Sequence, residues 1–271
     1  MKLRSILPLF LLLAFTTSAL AEMAGQRSVT GAGVDAAVTE ESPLPFAWAR
    51  DFWESLNLRK GTIRLPAASA TLRIPQGFSF LDAVDTERVL TQAWGNPPGS
   101  GLQGMLLPDG VTPFDPGAWA ITIAYEETGH IAGDTGVQLD ADGLMTRMQR
   151  DAALETETRR LEGYESFEVV GWMLQPRYEA ASHTLSWGRV LHFGSLQGNT
   201  LNISIRVLGR QGMLAFELVA DEANSKDVES AIPALLAMST FDPGQRYEDF
   251  NPESDRLAVI GLEELITGTG P

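Results

Sequence analysis

The sequence predicts an α+β fold in which helices pack on an antiparallel sheet. Four long strand-like segments follow one another with only short connections, at 167–174, 185–193, 201–208 and 213–220. Strands joined by short turns pair antiparallel. A long helical pattern precedes them at 140–161, and a shorter one follows at 228–238. Strands and helices do not alternate as a doubly wound sheet requires, so we expect the helices to group against one face of an antiparallel sheet.

The first half of the chain predicts shorter elements. Alternating polar and apolar residues predict strands at 62–65 and 71–74. After the turn Pro75-Gln76-Gly77, a strand is predicted from Phe78, and Asp82 or Asp85 then caps a helix that Gly95 ends. Three further segments complete the prediction: strands at 105–107 and 119–125 and a last helix at 257–266.

The N-terminus has the three parts of a secretory signal peptide. A positive start (1–4) precedes an apolar run (6–15), and Ala19-Leu20-Ala21 has the small-x-small pattern of a cleavage site. The run is shorter than the about 20 apolar residues of a membrane-spanning helix. We therefore predict a signal peptide over 1–21, a flexible leader over 22–45 and a single extracytoplasmic domain over 46–266. The protein is expected in the periplasm or outside the cell, membrane-attached only if the N-terminal segment is retained.

Composition excludes several classes of function. The chain has no cysteine, which excludes disulfides, thiolate nucleophiles and cysteine-ligated metals. Its net charge of −15 repels phosphate backbones, so nucleic acid is not an expected partner.

No catalytic or cofactor motif is present in the sequence. There is no Gly-x-Ser-x-Gly nucleophile elbow, no His-Glu-x-x-His zinc helix and no phosphate-binding loop. The histidines are His130, His183 and His192, of which the last two flank one strand and face opposite ways. We expect each to be an ordinary surface or strand-end histidine, and we predict no catalytic residue, no metal site and no cofactor.

One hairpin carries the candidate binding residues. The tight connection between Leu208 and Met213 has a glycine on each side, and if the loop is two or four residues long these two residues pair. Alternation then places the apolar side chains on one face of the hairpin. On the other face Ser204 lies opposite Glu217, and Arg206 lies diagonal to Glu217. The residues that we predict as a binding surface are Asn202, Ser204, Arg206 and Glu217. The alternative is a solvated face with an exposed cross-strand ion pair.

A short amphipathic helix over 46–57 offers a second surface. Its aromatic side chains recur at helical spacing: Phe46, Trp48, Phe52 and Trp53. Such a stripe docks on its own domain or lies on a membrane, and the lack of a basic polar face favours docking.

Several strings, taken in order, resemble a known family. They are Ala70-Thr71-Leu72-x-Ile74-Pro75-x-Gly77-Phe78-x-Phe80-Leu81, Gly95-Asn96-Pro97-Pro98, Gly171-Trp172 with Tyr178, His183-x-Leu185-x-Trp187, Leu201-Asn202 with Arg206-Val207-Leu208-Gly209-Arg210-x-Gly212, and Phe241-x-Pro243-Gly244-x-Arg246-Tyr247-x-Asp249-Phe250. Over roughly 61–266 the chain is similar to an uncharacterised bacterial family of membrane-anchored exported proteins, domain of unknown function 2167.

The resemblance implies an exported domain and a C-terminal membrane helix. The sequence departs from the second feature, since no apolar span follows 262–266. The element order also looks like the PsbP and Mog1 type of fold, which serves mostly binding and assembly.

These observations favour a non-catalytic binding or assembly module of the cell envelope, acting on an envelope protein or a small ligand. Two alternatives remain at this point. One is a periplasmic hydrolase with a carboxylate and histidine site, and the other is a structural protein of the membrane surface.

Overall fold

The structure, a computed structural model, describes residues 47–133, 138–161, 166–194 and 197–268. The predicted signal peptide (1–21) and leader (22–45) lie outside the described residues. In the described part of the chain the strands are β1 (Thr62–Leu65), β2 (Ala70–Arg73), β3 (Phe78–Asp82), β4 (Gly104–Pro108), β5 (Ala120–Glu126), β6 (Phe167–Glu179), β7 (Thr184–Phe193), β8 (Asn199–Leu208), β9 (Met213–Asp221) and β10 (Ser239–Phe241). The helices there are α1 (Ala47–Glu54), α2 (Ala83–Arg88), α3 (Ala141–Leu161), α4 (Ser225–Leu236) and α5 (Leu262–Thr267).

The strands form two antiparallel sheets. The main sheet has the order β3-β4-β5-β9-β8-β7-β6, and a smaller one has the order β1-β2-β10. The α+β class with an antiparallel sheet is therefore confirmed. The long strands β6 to β9 pair with their chain neighbours, while β5 joins β9 and closes the gap between the two halves of the sequence.

Local signals place the early elements as predicted. The Asp82 carboxylate accepts hydrogen bonds from the backbone N–H groups of Val84 and Asp85 and so caps α2. A π-helical turn at Val89–Ala93 extends this helix, and Gly95 follows in the left-handed region at φ 68°. The last helix is shorter than predicted, since α5 begins only at Leu262.

Both faces of the main sheet are covered. Beneath one face, the small sheet and α4 enclose the largest apolar cluster, built around Ile203, Ile205 and Phe216. The expectation that all helices share one face is therefore wrong for α4. Its buried residues Val228 and Leu235 belong to this opposite layer.

The other face carries two separate helix groups. Helices α1 and α2 cover the end formed by β3, β4 and β5, and α3 and α5 cover the end formed by β6 to β9. A band of the sheet between these groups carries polar side chains. No helix in the described residues is long and apolar enough to cross a membrane.

Candidate functional site

The four predicted binding residues lie together on the band between the helix groups. The hairpin register is as predicted: Leu208 pairs with Met213, and Ser204 pairs with Glu217. The row of paired residues continues across the sheet, because Glu217 also pairs with Thr122 on β5 and Ser204 also pairs with Trp187 on β7. We call this surface the polar strip, and it consists of Thr122, Arg189, Asn202, Ser204, Arg206 and Glu217.

The Glu217 carboxylate is the centre of the strip. It accepts a hydrogen bond from the Ser204 hydroxyl at 2.7 Å and a longer one from the Asn202 amide at 3.5 Å. The Arg206 guanidinium donates to its second oxygen and forms an ion pair. Three strands of the sheet therefore hold one network, because Arg189 on β7 donates in turn to the Asn202 side-chain oxygen.

The strip is mostly buried, so the alternative of a solvated face is wrong. Ser204 is 1% exposed and Asn202 9%, and the side chain of Arg206 is 11% exposed. Glu217 is the more accessible partner of the ion pair, with 26% of its side chain exposed. The helix groups on either side cause this burial, and Glu217 marks the place where the strip meets solvent.

Sequence reasoning missed Arg189, the second guanidinium of the strip. It is buried on the same face of the sheet as Arg206. Burial lowers the pKa of Arg189 from its ordinary value, and the positive charge of Arg206 adds to this, while the Glu217 carboxylate opposes it. A charged residue in the otherwise apolar middle of β7 was the available signal.

Two buried hydrogen-bond donors, one in the strip and one next to it, have no acceptor in the part of the chain that the structure describes. They are the Nε1–H of Trp187 and the Nε–H of Arg206, whose guanidinium lies 5.2 Å from the centroid of the Trp187 ring. Both groups can only donate. These two N–H groups are therefore available to an acceptor atom of a bound molecule.

A stack of four rings joins two of the histidines. The order is His183, Tyr247, His130 and Phe250, with successive ring centroids 3.9, 4.3 and 4.0 Å apart. The expectation that His130 is a surface residue is wrong, because it is 6% exposed. The rings come from three segments of the chain, because Tyr247 and Phe250 belong to the same short turn, and no local pattern links that turn to His130 or His183.

The ring stack does not form an acid–base pair of the kind a hydrolase needs. The carboxylate that acts on the charge of His130 is that of Asp255, and it accepts hydrogen bonds from Nε and one terminal nitrogen of Arg210 at 2.7 and 3.0 Å. This pairing keeps the pKa of Asp255 well below its usual range. The third histidine, His192, faces Asn199 at 3.2 Å instead.

The aromatic helix α1 packs on its own domain. Phe52 is buried in the apolar cluster beneath α2, and Trp53 is half-buried beside it. Trp48 is 52% exposed, but its ring meets Phe114 edge to face at 5.0 Å. Phe46 lies outside the described residues.

Within 47–133, 138–161, 166–194 and 197–268, no group of three or more His, Asp or Glu side chains could hold an ion.

Comparisons with known proteins give a family but no activity. The sequence model of a family described as "Protein of unknown function (DUF2167)" matches residues 57–270. A search of curated proteins found no match.

Among solved structures, the chain is similar to two of the expected fold type. Cyanobacterial PsbP from Synechocystis sp. PCC 6803 has a TM-score of 0.36 and 12% identity, covering 76% of this chain and 99% of that one. A mutant of the protein Mog1 has a TM-score of 0.29 and 10% identity, covering 65% and 84%. At these TM-scores neither likeness carries an inference about function.

Proposed function

The chain belongs to the DUF2167 family of proteins of unknown function, and we propose that it is an exported, non-catalytic binding or assembly module of the cell envelope. The polar strip is its binding site. It binds an envelope protein or a small ligand at the place where the Glu217 side chain is exposed to solvent.

The observation that carries this proposal is the buried charge of the strip. Removing a charged group from water costs several kcal/mol, and an ion pair recovers that cost only with good geometry. The same sheet face is apolar on both sides of the strip, so apolar residues would fill the band at lower cost. A charged network at this place is what a recognition surface requires and what a core does not.

Export is the second part of the proposal. It rests on the tripartite segment over 1–21, with its apolar run and its Ala19-Leu20-Ala21 cleavage pattern. The absence of cysteine and the acidic composition are compatible with a protein outside the cytoplasm. Fractionation of cells that make the full-length chain tests this part, since an exported protein is released with the periplasm and a retained signal leaves it in the membrane fraction.

The binding part is tested by capture from intact cells after mild crosslinking. The tagged full-length protein is compared with the double variant Arg206→Gln/Glu217→Gln and with the control Arg177→Gln/Glu179→Gln. The control removes an ion pair at 2.9 Å that is largely exposed, on the edge strand β6. We expect the wild type and the control to capture the same component and the strip variant to lose it.

A milder variant separates lost binding from lost folding. Ser204→Ala removes one hydrogen bond to Glu217 and changes no charge. If this variant unfolds like the wild type and still captures less, the strip contacts the component. Equal capture by all variants would show that the strip is structural.

A further inference from the structure

The outer face of the small sheet carries a group of arginines. Alternation in β1, β2 and β10 sends one set of side chains into the core and the other into solvent. In the solvent-facing set, Arg64 pairs across the strands with Thr71, and Thr71 pairs with Thr240. Arg73 follows in the next outward position of β2. This surface lies on the side of the molecule opposite to the polar strip.

A groove of about 210 Å³ runs along this face. Thr71, Arg73 and Thr240 line it from the sheet, and Asp242 and Arg246 line it from the segment after β10. We call the groove with Arg64 beside it the arginine face. The two threonine hydroxyls can each donate one hydrogen bond into it.

The arginine face has more positive than negative charge. Arg64 is paired with Asp242 at 2.7 Å, so these two charges cancel. The guanidinium of Arg73 makes no hydrogen bond or ion pair in the described part of the chain. Arg246 forms an exposed ion pair with Glu248 at 4.0 Å, and the nearby Asp249 carboxylate accepts hydrogen bonds from the backbone N–H groups of Gly244 and Arg246. Among the described residues the Arg73 guanidinium is thus left without a partner and Arg246 with a weak one, on a protein whose net charge is −15.

We propose that the arginine face binds a phosphate group. Guanidinium groups bind oxyanions through parallel N–H bonds, and arginine is the side chain favoured for phosphate recognition. A carboxylate carries one negative charge, whereas a phosphate monoester carries about 1.5 to 2 at pH 7 and can therefore interact with both arginines. The threonine hydroxyls supply further donors to the remaining oxygens. The phosphate comes from solution or from a lipid headgroup.

Titration with inorganic phosphate at constant ionic strength tests the site. Amide resonances of the purified full-length protein are followed by NMR, with sodium chloride as the balancing salt. We expect saturable shifts at Thr71, Thr240 and Gly244, with affinity at least about tenfold weaker in Arg73→Gln/Arg246→Gln. The control Arg177→Gln removes an exposed arginine from β6 and should leave the affinity unchanged.

Flotation with vesicles distinguishes the two sources. Vesicles of phosphatidylcholine with phosphatidic acid are compared with phosphatidylcholine alone, for the wild type and the double variant. Flotation only with phosphatidic acid, lost in the double variant, identifies a lipid-borne phosphate, and saturable shifts without flotation identify a soluble one. Shifts that do not saturate, or that are equal in the double variant, together with no flotation, would overturn the proposal.

Discussion

The imidazole of His183 stacks face to face on the ring of Tyr247, with centroids 3.9 Å apart and planes 15° from parallel. The opposite neighbour of Tyr247 in the stack is His130, which in turn lies on Phe250. The Tyr178 hydroxyl lies 3.3 Å from Nδ1 of His183. Two titratable rings are thus packed among aromatic residues that hold segments from distant parts of the sequence together.

The ring stack predicts that acid weakens the fold. Burial lowers the pKa of both His130 and His183 below the ordinary value of 6.5, although Asp255 and the carbonyls of Gly209 and Arg210 oppose this at His130, and Glu248 opposes it at His183. The unfolded chain therefore binds more protons as the pH falls below 6.5. The stabilisation is complete above that pH and is lost on the way down to the folded-state pKa values.

Urea unfolding at pH 7.5 and pH 5.0 measures this effect. The free energy of unfolding should fall with pH, by at most about 1.4 kcal/mol per pH unit for each histidine. The dependence should be weaker in His130→Gln than in the control His192→Gln, because His192 is outside the stack. Identical pH profiles for the wild type and His130→Gln would contradict the account.

The strip predicts a large effect from a small change at Glu217. Glu217→Gln leaves the Arg206 and Arg189 guanidinium groups without their carboxylate, both in buried positions. We expect a loss of about 1–3 kcal/mol in the free energy of unfolding, reduced from the value for a fully buried pair by the exposed part of Glu217. The control Glu179→Gln breaks an exposed pair and should cost under about 1 kcal/mol. Equal losses in the free energy of unfolding for the two variants would mean that water already solvates the charges of the strip.

Two of the three buried tryptophans in the described residues, Trp94 and Trp187, predict different costs for the same substitution. The Nε1–H of Trp94 donates to the Pro113 carbonyl at 2.8 Å, whereas that of Trp187 has no acceptor among the described residues. Trp94→Phe therefore leaves a carbonyl unpaired, and Trp187→Phe removes an unpaired donor. We expect Trp94→Phe to destabilise the protein by about 1–3 kcal/mol more than Trp187→Phe in thermal or urea unfolding. A larger cost at Trp187 would reveal an acceptor beside its indole.

The β8–β9 turn predicts a strict need for glycine at position 212. A Cβ atom there would lie 2.2 Å from the backbone oxygen of Glu126, which cannot move away without shifting β5. Gly212→Ala should lower the free energy of unfolding by about 1–3 kcal/mol in urea unfolding, which is the typical cost of overpacking. Gly171→Ala is the control, because its Cβ would meet nothing within 4 Å. A variant at position 212 as stable as the control would show that the turn relaxes.

The sequence predicted the strands and the hairpin register because both are local. Alternation over 201–208 and 213–220, together with the flanking glycines, favoured the pairing of Leu208 with Met213 that the structure has. It could not predict that Ser204 is buried, because that depends on where α3 and the α1–α2 group lie on the sheet. The ring stack was missed for the same reason. His130, His183 and the turn that carries Tyr247 and Phe250 are far apart along the chain, and periodicity says nothing about contacts between loops.

Photo-crosslinking from the edge of the polar strip tests the central claim most directly. A photo-reactive amino acid replaces Ala124, which is half-buried on β5 and lies on the strip face opposite Ala215. The control position is Glu179, exposed at the end of β6. After irradiation of intact cells, the mass of the intact protein reports protein and small-ligand adducts alike. The account predicts a defined adduct from position 124 and none of that mass from position 179. No adduct at position 124, or the same adduct from both positions, would contradict it.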